Sequence, residues 1–423
     1  MKRVIFLILL AAGQLLSQAY QTAIAEILNQ ASLDTLVKHV RLLSGEDSLY
    51  IDGSKYLIKN RSSGPGYHET IEHQIAAKYI VNTLRKYGHE AAEYKYPRTY
   101  NYPSGTWTDT LRNIIGVAPG HQYPDKKIIL SAHYDTAVLT ADDDQSLAPG
   151  ADNNASGVAV VLEAARLLVH EWQDYSIMFI FWDWVEQNFL ASELFLSNDT
   201  ARTDIIAMLN LQMLGFNADS SNILQVYCFE EPQHHQLAEL ASNLNDLYQI
   251  GLNVDTVHQG NGVPTADFWY YNICPVNHFE QHWANHNPNW LEVSDTIGAF
   301  NFDYFLKNAK LAIATTAEIA MNGFSNSDIY YSNTTSDKFQ LLQNYPNPFN
   351  ETTTLRFNLP FHNQITLKVF DLKGKSVFNK SLGIRESGLN QYVFNGSNFS
   401  SGIYFYRLET STKNQTGKMV LIK

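Results

Sequence analysis

The sequence predicts a mostly parallel mixed α/β sheet flanked by helices, followed by a small C-terminal all-β sandwich. Three observations predict this division. Apolar strand-like runs alternate with helical stripes over residues 30–322, which is typical of a parallel sheet covered on both faces. Residues 323–338 read as a polar linker. Beyond it, short alternating stretches separated by Gly, Asn and Ser turns predict an antiparallel sandwich over 339–423.

The first residues carry the pattern of a secretory signal peptide, predicted over 1–19. Lys2 and Arg3 precede an apolar run, and Ser17 and Ala19 place small residues at a cleavage site. No later segment is apolar for long enough to cross a membrane, so we expect no transmembrane segment in the mature chain. Export would permit a disulfide between Cys228 and Cys274, and two unpaired buried thiols fit equally well.

The net charge of the chain limits the kinds of partner that it can bind. The 423 residues carry a net charge of −12. Nucleic acid would require a basic patch, so we expect no nucleic-acid partner.

The elements of the α/β domain follow in order. Ser32 is a plausible N-cap for a helix that ends at Leu43, and residues 68–87 form an amphipathic stripe that stops at Gly88. Further helices are predicted after residue 156, near 192–198 and over 235–250. The predicted strands are 111–117, 128–133, 175–182, 205–214, 223–229 and 272–279.

The strand YSIMFIFW and the turn after it organise the domain. This run, residues 175–182, is apolar throughout and therefore predicts a strand buried on both faces. In open α/β sheets, reactive side chains lie where such strands end. Val185 and Glu186 stand at that point, so the chemistry of the domain should be decided there.

From Ser32 to Asn322 the chain resembles the secreted di-zinc aminopeptidases of metallopeptidase family 28, relatives of the glutaminyl cyclases. Five blocks carry the resemblance in family order, namely SAHYDT, PGADNNASGVAVVLE, FWDWVEQNFLAS, LNLQMLG and NPNWLEVSDT. The resemblance implies a zinc-exopeptidase-like fold. In that family a pair of zinc ions is held by five side chains, and a glutamate takes a proton from metal-bound water.

Carried over residue by residue, the resemblance leaves this site depleted. His133 and Glu186 match two of the five ligands, and Asp135 matches the carboxylate that orients the histidine. Val185 stands at the position of the catalytic base. The other three ligand positions hold Asn153, Gln212 and Leu291. The two amides are poor zinc ligands, and the leucine cannot bind zinc.

We therefore predict a catalytically inactive homologue with no catalytic residue and no metal cofactor. Without metal, clustered carboxylates in a cleft would repel one another, whereas Asn, Val, Gln and Leu are neutral. Such a protein could still bind peptides or protein termini. The alternative is an active zinc-dependent aminopeptidase that releases N-terminal residues from peptides, with ligands that the motif comparison does not identify.

Other residues near the predicted cleft allow two readings. Trp184, Phe189, Trp283 and Trp290 are candidates to line the cleft, and core packing explains the strand tryptophans as well. One further group could rebuild a metal site, and it consists of His278, Glu280, His282 and His286. An acidic run, Asp142 to Asp144, reads as a solvated turn with weak calcium affinity as the lesser reading.

Residues 341–423 resemble the type A C-terminal sorting domain of type IX secretion. The carrying motifs are LLQNYPNPFN, VFDLKGKSV, SSGIYFYRL and the terminal KMVLIK. The resemblance implies that the type IX secretion machinery is a partner. It also implies that the protein is secreted or placed on the cell surface after passage through the outer membrane.

Overall fold

The structure is a computed structural model, and it describes most of the chain. The described residues are 20–63, 69–102, 105–138, 147–168, 173–186, 195, 204–229, 232–258, 274–324, 339–341, 344, 347, 349–359, 363–385, 388–410 and 413–423. The predicted signal peptide over 1–19, the acidic run Asp142 to Asp144 and Phe189 lie outside these ranges.

A mixed sheet forms the centre of the first unit, as the sequence predicts, and it has eight strands, of which the sequence predicted six. Its strands are β3 (Glu90–Tyr102), β4 (Gly105–Ala118), β5 (Tyr123–His133), β6 (Tyr175–Trp182), β7 (Ile205–Gln212), β8 (Ile223–Cys228), β9 (Asn253–His258) and β10 (Val276–Gln281). The spatial order is β3-β4-β6-β5-β7-β10-β8-β9. The neighbours β6, β5, β7 and β10 run parallel, and a short hairpin of β1 (Leu49–Ile51) and β2 (Ser54–Tyr56) lies outside this sheet.

The helix predicted near 192–198 lies outside the described residues apart from residue 195. Among the helices of this unit are five long ones, of which four lie close to where the sequence predicts them and the last, over residues 302–322, was not predicted. They are α1 (Leu33–Leu43), α2 (Ile71–Lys86), α3 (Gly157–Leu168), α4 (Pro232–Leu247) and α5 (Phe302–Asn322). Ser32 caps α1, since its side chain accepts a hydrogen bond from the backbone N–H of Thr35. Nearly every side chain of α3 is buried because this helix packs against the central strands.

The long edge strand β3 was not predicted. It pairs along its whole length with β4, from Glu90 opposite Val117 to Tyr102 opposite Gly105. Tyrosines alternate with charged and polar residues in this segment, and Pro97 falls within it, which suits an edge strand. The alternation of tyrosine with polar residues was the available sequence signal.

The chain forms two compact units, Met1–Asn326 and Ser327–Lys423. The second unit has a sheet of β11 (Gln340–Leu341), β12 (Thr352–Leu359) and β15 (Gly388–Asn395), and a sheet of β13 (Asn363–Phe370), β14 (Ser376–Arg385), β16 (Gly402–Glu409) and β17 (Asn414–Leu421). The strands of each sheet pair in antiparallel fashion, and one isolated parallel bridge joins Phe349 to Leu421. Inward-facing residues of both sheets, such as Leu355 and Leu367, form one apolar core, as a sandwich requires.

Glu318 is a buried carboxyl group on α5. Its Oε1 accepts a hydrogen bond from the side-chain amide of Asn322, and its Oε2 has no partner among the described residues. Burial raises its pKa to about 7. The folded protein therefore disfavours the ionised form, so wild-type stability should fall as pH rises from the unfolded value of about 4.5 to 7.

We expect Glu318→Gln to remove this loss. The variant should be more stable than wild type at pH 8 by up to about 3 kcal/mol, and similar to it at pH 4.5. Urea unfolding at the two pH values, followed by tryptophan fluorescence, measures the difference. All seven tryptophans precede residue 327, so the signal reports on the first unit alone. An equal difference at both pH values would contradict the assignment.

Candidate functional site

The carboxyl ends of three neighbouring parallel strands bring the predicted positions together. His133 is the last residue of β5 and Gln212 the last residue of β7. His133 lies in register with Trp182, the last residue of β6. Because parallel strands end at one edge of the sheet, positions from separate sequence blocks meet at that edge.

Asn153 is the centre of a hydrogen-bonded chain at this edge. Its side-chain amide nitrogen donates to Glu186 Oε1 at 2.7 Å. Its Oδ1 accepts from Gln212 Nε2 at 3.5 Å, at the outer limit for a hydrogen bond. Two neutral amides and one carboxyl group therefore lie side by side and are joined by hydrogen bonds.

His133 and Asp135 continue this polar network. His133 Nδ1 lies 3.3 Å from Asp135 Oδ1, and the backbone N–H of Glu186 donates to Asp135 Oδ2 at 3.0 Å. Burial would lower the pKa of His133, but the hydrogen bond and charge of Asp135 and the charge of Glu186 outweigh burial and raise it. His133 Nε2 is buried and has no hydrogen-bond partner among the described residues.

Glu186 provides the carboxyl group that accepts a hydrogen bond from the side chain of Asn153. Burial raises the pKa of this carboxyl group, and the neighbouring His133 opposes the rise. The charge of Asp135 adds to the rise.

Asp152 and Asp295 hold the turn that carries Asn153. The backbone N–H of Asn153 donates to Asp295 Oδ2 at 2.9 Å, and the side-chain amide of Asn287 donates to Asp152 Oδ2 at 3.1 Å. Burial raises the pKa of Asp152 to about 7 and that of Asp295 to about 6. These carboxyl groups accept hydrogen bonds from the backbone, so they fix the turn.

Arg61 fixes the chain just before that turn. Its guanidinium is fully buried and donates to the carbonyl oxygens of Tyr134, Pro149 and Gly150, at 2.8, 2.8 and 2.9 Å. Burial lowers its pKa to about 10, and the charges of Asp295 and Asp135 oppose that change. One buried cation thereby connects the ends of several segments around the site.

Two stretches of the chain match known protein families. Residues 113–316 match the family model described as Peptidase family M28. The chain carries an M28 peptidase domain. Residues 343–423 match the secretion system C-terminal sorting domain. The type IX sorting domain directs the protein to secretion and the cell surface, as the motifs predict.

Curated relatives resemble only part of the chain. A probable zinc metalloprotease of Pyrenophora tritici-repentis is 26% identical over 267 residues, which cover 54% of this chain and 61% of that protein. A second, from Pyrenophora teres f. teres, is 27% identical, and 53% of its length is covered. The chain thus spans between half and three fifths of the length of these relatives.

Solved structures confirm the fold. BSAP, a zinc aminopeptidase from Bacillus subtilis, superposes with a TM-score of 0.55 at 14% identity, covering 70% of this chain and 97% of that one. Porphyromonas gingivalis glutaminyl cyclase superposes with a TM-score of 0.51 at 19% identity, covering 68% and 98%. At these identities the likeness establishes the zinc-exopeptidase-like fold and nothing further.

Val185 and Leu291 of the M28 domain are apolar and buried, each 8% exposed. Val185 belongs to the apolar cluster that also contains Trp182 and Phe195. A carboxylate at this position would replace a core side chain. Packing in an apolar environment therefore accounts for both side chains.

The prediction that Trp184 lines a cleft is wrong. Its side chain is 0% exposed, which places it in the core. Trp283 and Trp290 are 60% and 36% exposed, and the ring of His286 lies between them at 4.9 and 5.0 Å. These three residues form an accessible aromatic cluster beside Leu291.

Strained backbone marks the same edge of the M28 domain. Trp184, Met213 and Leu291 have φ values of 51°, 49° and 58°, in the left-handed region that non-glycine residues rarely adopt. They stand directly before Val185, directly after Gln212 and at the predicted fifth ligand position. Such conformations persist where the surrounding structure fixes them, and they concentrate at functional sites.

A second buried network in the M28 domain holds the end of β6. Asp183 accepts hydrogen bonds from Ser63 Oγ at 2.6 Å, His73 Nε2 at 2.9 Å and the backbone N–H of Arg112 at 2.9 Å. His73 Nδ1 also lies 3.2 Å from Glu69 Oε1. Sequence reasoning missed these residues, which position the strand end that leads to Glu186.

The group that could rebuild a metal site lies on β10 and directly after it, and it consists of His278, Glu280, His282 and His286. His278 Nε2 lies 3.2 Å from Glu280 Oε2, while the ring of His286 packs between tryptophans. Among the described residues, no three His, Cys, Asp or Glu side chains are placed to hold a metal ion together.

Among the helices that the structure describes, none combines the length and the apolar character needed to cross a membrane.

Proposed function

We propose that this protein is an exported, cell-surface M28-fold protein that binds peptides or protein termini without hydrolysing them. The observation that carries the proposal is the chain from Gln212 through Asn153 to Glu186. In it, two neutral amides occupy the positions that the family resemblance assigns to anionic zinc ligands. Both polar atoms of the Asn153 amide and the nitrogen of the Gln212 amide are hydrogen-bonded within this chain.

The donor set does not fit a pair of zinc ions. Zinc is bound by imidazole, thiolate and carboxylate groups, and an amide is a poor substitute. His133 Nε2 is suited to hold a metal, since it is buried without a partner among the described residues. Glu186 is bonded to Asn153, and Leu291 has no donor atom, so among the five positions that the resemblance assigns only His133 and Glu186 carry a group that zinc prefers.

The position that the family resemblance assigns to the general base holds Val185. A base must accept a proton from the attacking water, and Val185 has no atom that can do so. Its side chain lies in the apolar cluster with Trp182. The proposal therefore assigns no catalytic residue.

Binding remains supported by surface chemistry. Trp283 and Trp290 offer exposed aromatic faces, and Glu186 offers a half-buried carboxyl group at the sheet edge. Aromatic faces bind apolar and planar side chains, and a carboxylate suits an ammonium group. A peptide with a free N-terminus and an apolar first residue presents both.

A second candidate is an active zinc aminopeptidase, and the names of the curated relatives favour it, since they are called probable zinc metalloproteases. Turnover of aminoacyl-p-nitroanilides separates the two. We expect no release above buffer, with or without added zinc, from the purified full chain. Cleavage that zinc restores after chelation would overturn the proposal.

Peptide binding needs its own measurement. Fluorescence anisotropy with a labelled peptide bearing a free N-terminal leucine should show saturable binding, and N-acetylation should weaken it. We expect Trp290→Ala to weaken binding by about tenfold, because stacking of this kind contributes roughly 0.5–1.5 kcal/mol beyond buried area. Trp283→Ala provides a second position in the cluster. Equal affinity for free and acetylated peptides would contradict recognition of the N-terminus.

A further inference from the structure

A separate polar cleft lies between α2, the start of β3 and the turn of the β1–β2 hairpin. Its volume is about 470 Å³. The charged and amide residues in its wall are Asp52, Lys78, Asn82, Arg85, Glu93 and Lys95. None of them belongs to the candidate site at the carboxyl edge of the sheet, so this cleft is a second feature of the first unit.

The helical wall of the cleft presents a regular row of donors. Lys78, Asn82 and Arg85 are spaced by four and three residues on α2, so they share one face of the helix. All three side chains are exposed. Lys95, which lies on β3, contributes a third cation to the lining of the cleft. The cleft is therefore bordered by positive groups from two elements.

The carboxylates in the wall do not cancel these cations. Glu93 Oε2 lies 3.2 Å from Lys95 Nζ and 3.6 Å from an Arg112 guanidinium nitrogen, so its charge is shared between two cations. Lys78 has no ion-pair partner among the described residues. Asp52 is the other carboxylate in the wall. A surplus of positive charge in one cleft stands out in a chain whose net charge is −12.

Arg85 is held in a fixed orientation. Its Nε and Nη2 donate to the carbonyl oxygen of Ala91 at 3.1 and 2.8 Å. The guanidinium has five N–H donors, so donors remain for a ligand in the cleft. A preorganised guanidinium loses less side-chain entropy on binding than a mobile one does.

We propose that this cleft binds a phosphate or sulfate ester carried on a sugar-sized group. Arginine, lysine and asparagine supply N–H donors, and charge-assisted hydrogen bonds to an oxyanion are among the strong ones. The cleft is larger than a bare oxyanion needs and falls in the size range of small-molecule sites. At a cell surface this chemistry is carried by free sugar phosphates and by anionic headgroups.

Isothermal titration of the full chain with glucose 6-phosphate, at low ionic strength and pH 7, tests the proposal. Glucose is the neutral control ligand. Vesicles of phosphatidylglycerol, against phosphatidylcholine vesicles, test the headgroup source. The Lys78→Gln/Arg85→Gln double variant should weaken binding by about tenfold or more, since two charge-assisted contacts are lost. Lys86→Gln is the matched control, because Lys86 is exposed on the same helix and outside the cleft wall.

Each outcome decides the proposal. Binding of glucose 6-phosphate that the double variant loses and Lys86→Gln keeps supports a free ester as ligand. The same variant pattern with phosphatidylglycerol vesicles alone supports the headgroup. Equal binding by wild type and double variant, equal binding of glucose, or no binding of either anionic probe would overturn it. An unchanged melting temperature of each variant, followed by tryptophan fluorescence, verifies that the fold is intact.

Discussion

Asn153→Asp is expected to destabilise the first unit at neutral pH by about 3 to 5 kcal/mol, the usual cost of an uncompensated buried charge. In wild type, the amide of Asn153 donates to Glu186 at 2.7 Å. A carboxylate in its place would lose that donor and face a second carboxylate at hydrogen-bond distance. Asn153 is only 2% exposed, so water screens the repulsion poorly.

The pH dependence of this variant distinguishes repulsion from lost packing. Two carboxyl groups at this distance share a proton, which raises the pKa of at least one of them. The penalty should therefore be small near pH 4 and should grow as pH rises through neutrality. Urea unfolding followed by tryptophan fluorescence at pH 4 and pH 7.5 measures both values.

Asn153→Ala is the matched control for that measurement. It removes the same hydrogen bonds without adding charge, so its penalty should be about 1 to 3 kcal/mol, and it should change little with pH. A penalty for Asn153→Asp that is equal at both pH values, or absent at both, would contradict the account of this site.

His73→Gln is the second substitution with a large expected effect. His73 is fully buried between Asp183 and Glu69. Burial lowers its pKa, but the charge of Asp183, which is the largest opposing effect, helps to raise the pKa to about 9. The folded pKa exceeds the unfolded value of about 6.5, so the stabilising contribution is fully present below pH 6.5. It is lost as pH rises through 9.

The expected size follows from that difference in pKa. Wild type should lose on the order of 3 kcal/mol of unfolding free energy between pH 6.5 and pH 9 through this group. His73→Gln should be less stable than wild type at pH 6, and the deficit should shrink by pH 9. Urea unfolding at the two pH values measures the change.

His39→Gln is the control for the histidine experiment. His39 is also buried, between the hydroxyl groups of Tyr79 and Tyr87, but burial lowers its pKa to about 3. The folded form is therefore neutral from pH 6 to pH 9, while the unfolded imidazole is partly protonated at pH 6. The cost of His39→Gln should therefore rise slightly, by less than about 1 kcal/mol, from pH 6 to pH 9, which is opposite in direction to the change expected for His73→Gln. A deficit for His73→Gln that does not shrink with pH would contradict the charged pair.

The fold was predictable because its signals are local. The apolar run of β6 predicts a buried strand, and the helical stripe of α3 predicts a buried helix. The alternation of such strands and helices along the chain predicts a parallel sheet. The positions of His133, Asn153 and Gln212 came from motif blocks. Their meeting at one edge of the sheet follows from the order in which parallel strands end.

The contacts between those elements were not predictable. His73 and Asp183 are 110 residues apart, and neither stands in a pattern that announces a partner. Trp184 reads as a cleft residue because it follows a strand end, yet it is wholly buried. The polar cleft draws Lys78 and Lys95 from different elements, so no run of charge in the sequence marks it.

Zinc content tests the central claim most directly. The full chain would be dialysed against micromolar zinc, separated from free metal, and measured for zinc per chain by mass spectrometry, with a His133→Ala variant beside it. We predict that wild type retains no stoichiometric zinc and is indistinguishable from the variant, because the ligand positions at the sheet edge hold amides and a leucine. One or more zinc ions per chain, lost in His133→Ala, would contradict that prediction.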